Sequence, residues 1–125
     1  MKKTFLLLYL ISLTLVSFSQ SDALWLRYPS ISPDGGKIAF TYKGDLYTVS
    51  SAGGSAVPLT FHEAHDYMPV WSNDGKKIAF ASDRYGNFDI YSVSAEGGEP
   101  DRLTFHSADE FPYAFTPDNM NVIFG

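Results

Sequence analysis

The chain has 125 residues, a formal net charge of −5, and no cysteine. The missing cysteines exclude a disulfide-stapled scaffold and a lipid-anchored cysteine. The acidic balance, with no basic cluster, argues against nucleic acid as a partner, because phosphates demand clustered Lys and Arg.

Lys2 and Lys3 precede the apolar run from Phe5 to Val16, which closes in Ser17-Phe18-Ser19-Gln20. A positive start, a short apolar stretch and small residues at the end have the layout of a secretory signal peptide. Residues 1–19 are therefore read as that signal, cut after Ser19, and the protein as exported, periplasmic or extracellular. The competing reading is an uncleaved anchor. A spanning helix wants about 20 apolar residues, and this run is shorter and interrupted by Ser12 and Thr14, so no stable membrane insertion is expected after cleavage.

Ser32-Pro33-Asp34-Gly35-Gly36 is the first turn signal, since Asp-Gly supplies the positive backbone angles of a tight hairpin. Beyond it Ile38, Phe40 and Tyr42 alternate with Lys37, Ala39 and Thr41, the period of two that sends neighbouring side chains to opposite faces. Ala39, echoed by Ala79, places a small apolar residue on the second face and implies that both faces are covered. Lys43-Gly44 turns the chain into Asp45–Ser50, and Ala52-Gly53-Gly54 precedes a fourth short strand over 56–60. The same four fall near Met68–Ser72, Lys77–Ser82, Phe88–Ser94 and Asp101–Thr104, and a third copy supplies two more before Gly125.

The copies align as Pro29–Phe40, Pro69–Phe80 and Pro112–Phe124; Asp34 to Asp74 is 40 residues and Asp74 to Asp118 is 44. Leu59-Thr-Phe-His62 recurs as Leu103-Thr-Phe-His106. Four antiparallel strands in a repeat of about 40 residues are the mark of a β-propeller blade. The expected fold is all-β: blade one over 25–62, blade two over 63–106 and the start of blade three over 107–125. Two and a half blades cannot close a ring of about four to eight, which predicts a piece of a longer polypeptide whose remaining blades are its partners; a short chain that assembles with its own copies is the alternative.

Ser-Pro-Asp-Gly-x-Lys-Ile-Ala-Phe, Ser82-Asp83-Arg84-Tyr85-Gly86-Asn87-Phe88-Asp89-Ile90-Tyr91, Gly97-Gly98 and Arg102-Leu103-Thr104 together resemble the WD40-like propeller repeat of TolB and of tricorn-type proteases. The entry segment Trp25–Ser32, following almost directly on the signal, and the block Asp66–Trp71 resemble the opening blades of exported tricorn-like peptidases. The resemblance implies a serine protease in which this stretch is a non-catalytic gate or peptide-guiding scaffold; the family's catalytic Ser and His lie in a C-terminal domain and match no position here. The second reading is a TolB-like periplasmic propeller that binds a protein partner without hydrolysis. Asn73 departs from the repeat's Pro, and Asn119 from its Gly; Asn tolerates the left-handed conformation, so the third turn should persist.

His62-Glu63-Ala64-His65 lacks the His-Glu-x-x-His spacing that sets two imidazoles on one helix face, so no catalytic zinc is assigned. Asp83, Asn87 and Asp89 lack the pattern of a calcium loop; Asp83 is expected to cap the Tyr85–Phe88 hairpin. No Gly-x-Ser-x-Gly elbow or phosphate loop appears, and no cofactor is implied. Trp71, Phe40 and Phe80 read as inter-blade core, and His62 and His106 as blade-edge residues bonded to a neighbouring turn. Residues shared by the copies serve the blade, so a peptide-facing surface is sought where the copies differ: Glu63, His65 and Asp66 in one loop, and Arg84, Tyr85 and Asn87 in the other.

Overall fold

The computed structural model describes residues 25–125, which form strands, turns and loops; the segment read as a signal peptide lies outside the described residues. Strands β1 (Arg27–Ile31), β2 (Lys37–Tyr42), β3 (Asp45–Ser50) and β4 (Val57–Pro58) make one antiparallel sheet in chain order. A second sheet repeats that order with β5 (Asp66–Trp71), β6 (Lys77–Ser82), β7 (Asp89–Ser94) and β8 (Asp101–Arg102). The pair β9 (Pro112–Phe115) and β10 (Val122–Phe124) begins a third. The described sheets form an open arc rather than a closed barrel, as the repeat count predicts.

The two-residue period decides which side chains meet. Ile78 pairs with Val93 and Phe80 with Tyr91 on one face of the second sheet, while Ala79 opposes Ser92 and Ala81 opposes Ile90 on the other. All of Ile78 to Ala81 is sealed from solvent, so both faces are covered. One buried cluster joins Ala39, Leu46 and Leu59 of the first sheet to Trp71, Ile78, Phe80, Tyr91, Val93 and Ala95 of the second. Burying each large member is worth about 1.5–3 kcal/mol. Two polar contacts fix the register of this seam: the Trp71 indole N–H donates to the Ser30 carbonyl at 2.9 Å, and the Thr41 hydroxyl to the Asp66 carbonyl at 3.2 Å.

Phe40 lies outside that cluster. It is buried, but on the other face of the first sheet, stacked on Tyr47 with centroids 5.9 Å apart. The two-residue period puts it opposite Ala39, and only the Ala39 face meets the second sheet.

The turns after β1, β5 and β9 share one hydrogen-bond scheme. Ser32 Oγ donates to Asp34 Oδ1 at 2.6 Å, the Gly36 N–H donates to the same oxygen at 2.9 Å, and the Lys37 N–H donates to Ser32 Oγ at 2.9 Å. Ser72 with Asp74, and Thr116 with Asp118, repeat it. Only the residue after the aspartate is left-handed, with φ of 72° at Gly35, 70° at Gly75 and 60° at Asn119; the aspartate works through its carboxylate rather than through an unusual backbone angle. The third turn persists with Asn, and the two departures from the repeat meet. The Asn73 N–H donates to Asn119 Oδ1 at 2.6 Å and the Asn73 amide to the Thr116 carbonyl at 2.9 Å.

The hydroxyls of Ser32, Ser72 and Thr116, and next the backbone N–H groups of Gly36, Lys76 and Met120, hold the three carboxyls below their ordinary value of 3.8. A carboxyl lowered by folding stabilises the fold above its unfolded value, and that stabilisation is lost as pH falls through the folded value. Urea midpoints should therefore drop as pH is taken below 3.8, and replacing Ser32, Ser72 and Thr116 together with Ala should flatten that acid limb; an unchanged limb would show that these turns do not contribute to it.

Candidate functional site

The loops at one end of the arc are tied to one another. The Asp66 N–H donates to the Gly44 carbonyl at 2.7 Å and the Glu110 N–H to the Phe88 carbonyl at 2.7 Å. Three carboxylates cap backbone donors here: Asp45 accepts from the His62 N–H at 3.0 Å, Asp83 from the His65 N–H at 2.7 Å, and Asp109 from the Phe88 N–H at 3.0 Å. The Asp83 carboxylate thus reaches across to the connection between the sheets, while its carbonyl accepts from the Gly86 N–H at 3.0 Å and closes its own turn. The opposite end carries the Ser/Thr-x-Asp turns and an exposed Lys37–Glu96 pair at 3.0 Å.

His62 and His106 do equivalent work in the two copies. The Ala64 N–H donates to His62 Nδ1 at 3.0 Å and the Ala108 N–H to His106 Nδ1 at 3.1 Å. Each ring closes its own turn rather than a neighbour's, with Nδ1 as acceptor and the ring proton on Nε2.

Beneath these loops lies a buried charge system that the first sheet lacks. Asp66 and Asp89 flank Ser82 in register across β5, β6 and β7 and are fully enclosed. Arg84 donates through Nη2 to Asp66 Oδ2 at 3.1 Å and through Nε to Ser82 Oγ at 3.1 Å. Arg102 donates to Asp89 Oδ2 at 2.7 Å. The Arg84 guanidinium lies 5.2 Å from the Tyr91 ring centroid, and that of Arg102 is held by Tyr85 at 4.4 Å and Phe105 at 4.6 Å. Burial pushes the Tyr91 hydroxyl's pKa up. In the first copy Leu26 stands where Asp66 does, and Pro58 pairs with Tyr47 as Arg102 pairs with Tyr91. The longer loop of the second copy therefore brings Arg84 and Tyr85 together with the groups they serve.

All six residues singled out from the sequence lie at this end, in different situations. Glu63 and His65 are exposed, and Tyr85 is 69% exposed. Asp66 is enclosed with its carboxylate on Arg84, whose side chain is 10% exposed. The Asn87 amide donates to the carbonyls of His106 at 2.9 Å and Ala108 at 3.1 Å, closing the loop on the next connection. His65 stacks on Tyr67 with centroids 6.0 Å apart, and its Nδ1 is 3.4 Å from Asp83 Oδ2.

Sequence reasoning missed the aromatic residues that join these loops. Tyr28 meets Tyr67 edge-on at 5.6 Å, Tyr67 meets Phe88 at 5.3 Å, and Phe88 meets Phe111 at 5.5 Å. The arc crosses all three sheets beside the adjacent strands β1, β5 and β9. Below it a groove of about 330 Å³ is lined by residues that include Tyr28, Pro29, Met68, Pro69, Pro112 and Tyr113. Bulges in β1 and β5 place Tyr28 and Met68 at φ of 52° and 54°, and bulges re-aim side chains in this way.

The profile of the tricorn protease N-terminal β-propeller domain matches residues 23–125. Over 80 residues the chain is 49% identical to dipeptidyl-peptidase 5 of Porphyromonas gingivalis, covering 64% of this chain and 12% of that protein. It is 32% identical over 69 residues to an uncharacterized peptidase of Bacillus subtilis, covering 47% of this chain and 10% of that one. A protein assigned as TolB from Agrobacterium tumefaciens superimposes with a TM-score of 0.71 at 26% identity, over 85% of this chain and 39% of its own. The tricorn protease gives 0.70 at 26% identity, over 81% of this chain and 11% of its own.

Arg84→Met should destabilise the fold by about 3–5 kcal/mol, because it strands the enclosed Asp66 carboxylate. Adding Asp66→Leu, the residue of the first copy, should recover most of that loss. A denaturant double-mutant cycle measures the coupling, and additive losses would show that the two side chains do not depend on each other.

Proposed function

The chain belongs to the tricorn protease N-terminal β-propeller family, and on that premise we propose that it supplies non-catalytic blades to an exported tricorn-like serine peptidase. Blades over 25–62, 63–106 and 107–125 would form part of a channel wall that guides peptide toward a peptidase domain elsewhere in the parent chain. The signal-like residues 1–19 would send it to the periplasm or outside the cell. Its partners are then the remaining blades and the peptide substrate.

The observation that carries this reading is the placement of the variable residues. Strands β1, β5 and β9 lie side by side along one groove, and on the connection between the first two sheets His65 stacks on Tyr67 of the aromatic arc. A connection that differs between the copies thus lies beside the groove where a passing chain would enter. Relatives that are peptidases support the same conclusion. The likeness to the TolB structure supports the second reading, a propeller that binds a protein partner and hydrolyses nothing.

Ser30→Trp and Val70→Trp place bulk on the inner strands without touching the buried ion pairs. In the full-length protein these changes should lower kcat/KM for peptides of roughly ten residues several-fold and leave di- and tripeptides nearly unaffected, as expected when access rather than chemistry is impeded. Equal effects on long and short substrates would sink the guiding role. A full-length protein that binds a partner and shows no peptide hydrolysis would favour the TolB-like reading.

A further inference from the structure

Within the buried charge system of the second sheet, Asp66 Oδ1, Asp89 Oδ1 and the Tyr91 hydroxyl are sealed from solvent and take no hydrogen bond among the described residues. Asp66 and Asp89 are fully enclosed, and Tyr91 is 3% exposed. An enclosed polar atom without a partner costs free energy, and folded proteins commonly satisfy such groups with internal water. We infer that Asp66, Asp89 and Tyr91 bind an internal water, which joins the Asp66–Arg84 and Asp89–Arg102 pairs into one network.

The three atoms face one place. Asp66, Ser82 and Asp89 are paired across β5, β6 and β7, so their side chains share a face. Tyr91 stands two residues along β7 and therefore on that same face. Burial is the largest influence raising the Tyr91 hydroxyl's pKa, and Arg102, Asp89 and Arg84 act on it in turn, so it lies among the same charges. The first sheet covers this face, since Phe80 and Tyr91 share a cluster with Ala39, Leu46 and Leu59. The covering sheet is present, and these atoms do not wait for a partner from a further blade.

Size and charge select water as the ligand. Neighbouring strands lie about 4.8 Å apart, which sets the Asp66 and Asp89 backbones roughly 10 Å apart with Ser82 between them. In the first copy Tyr42 fills that middle position and Leu26 stands in place of Asp66. The small serine leaves room between the two carboxylates that the first copy gives to a ring. Arg84 and Arg102 already balance both carboxylates, so no net charge remains to hold a metal cation, and free carboxylate oxygens repel an anion. The ligand must be small and neutral, donate to two oxygens and also bond a hydroxyl. Water meets each demand with the three or so hydrogen bonds that buried waters make.

The test is a crystal structure of the full-length protein at about 1.5 Å resolution. An ordered solvent peak is expected about 2.7–3.1 Å from at least two of the three atoms. A second measurement works in solution: in full-length Tyr91→Phe, native-state hydrogen exchange of the β7 amides should speed up roughly fivefold, as removal of one hydrogen bond predicts. A hydroxyl with no partner predicts the reverse, because phenylalanine would relieve an unsatisfied group. A solvent peak touching fewer than two of the atoms, a Ser82 hydroxyl bonded directly to either carboxylate in its place, or β7 amides that exchange no faster in Tyr91→Phe would each overturn the inference.

Discussion

Neither sheet can bury its two apolar faces alone, and everything else in the structure follows from that constraint. The strand period assigns Ala39 to one face of the first sheet and Phe40 to the other, so each sheet needs a neighbour on both sides. The first seam meets this need with one cluster, in which Ala39, Leu46 and Leu59 complete the cover over Trp71, Ile78 and Phe80. Once the sheets are stacked in this way, β1, β5 and β9 become neighbours and the loops at their ends converge. The groove and the aromatic arc are products of packing before they are features of a site.

The polar contacts divide between register and variation. Trp71 to Ser30 and Thr41 to Asp66 fix how the sheets align. The ion pairs Asp66–Arg84 and Asp89–Arg102 belong to the second copy and have no counterpart in the first. Enclosed charges of this kind add little net stability over an apolar core; their effect is to hold the longer loop in one place, with Tyr85 over Arg102 and Asn87 bonded to the following connection. The longer loop is thereby tied to the connection that follows it.

The repeat made most of the fold legible. Asp-Gly turns, alternating apolar residues and a 40-residue spacing located both complete sheets and the start of the third. Phe40 and Phe80 are equivalent, but only Phe80 falls in the cluster between the two complete sheets. The contrast between copies picked out residues that share one end of the arc but gave none of their contacts. Tyr67 and Phe111 are equivalent positions 44 residues apart, but Tyr28 and Phe88 stand at other repeat positions, so no spacing rule links all four. The Asp83 bond to the His65 N–H is equally non-local. A readable clue did exist for the charge system, since Arg84 arrives with the longer loop while Asp66 and Arg102 replace Leu26 and Pro58.

The two seams close differently at the turn end. Between the first and second sheets a methyl group on Gly75 would sit 3.8 Å from the Pro33 ring, so proline and glycine meet by shape. Between the second and third, Asn73 and Asn119 meet by hydrogen bonds. Each turn therefore bears half of a two-part fitting, its second position facing forward and its fourth facing back. Blades that look interchangeable are directional pieces: duplication or shuffling in evolution could move one only together with its neighbour's matching half, and the order of blades is inherited through such pairs.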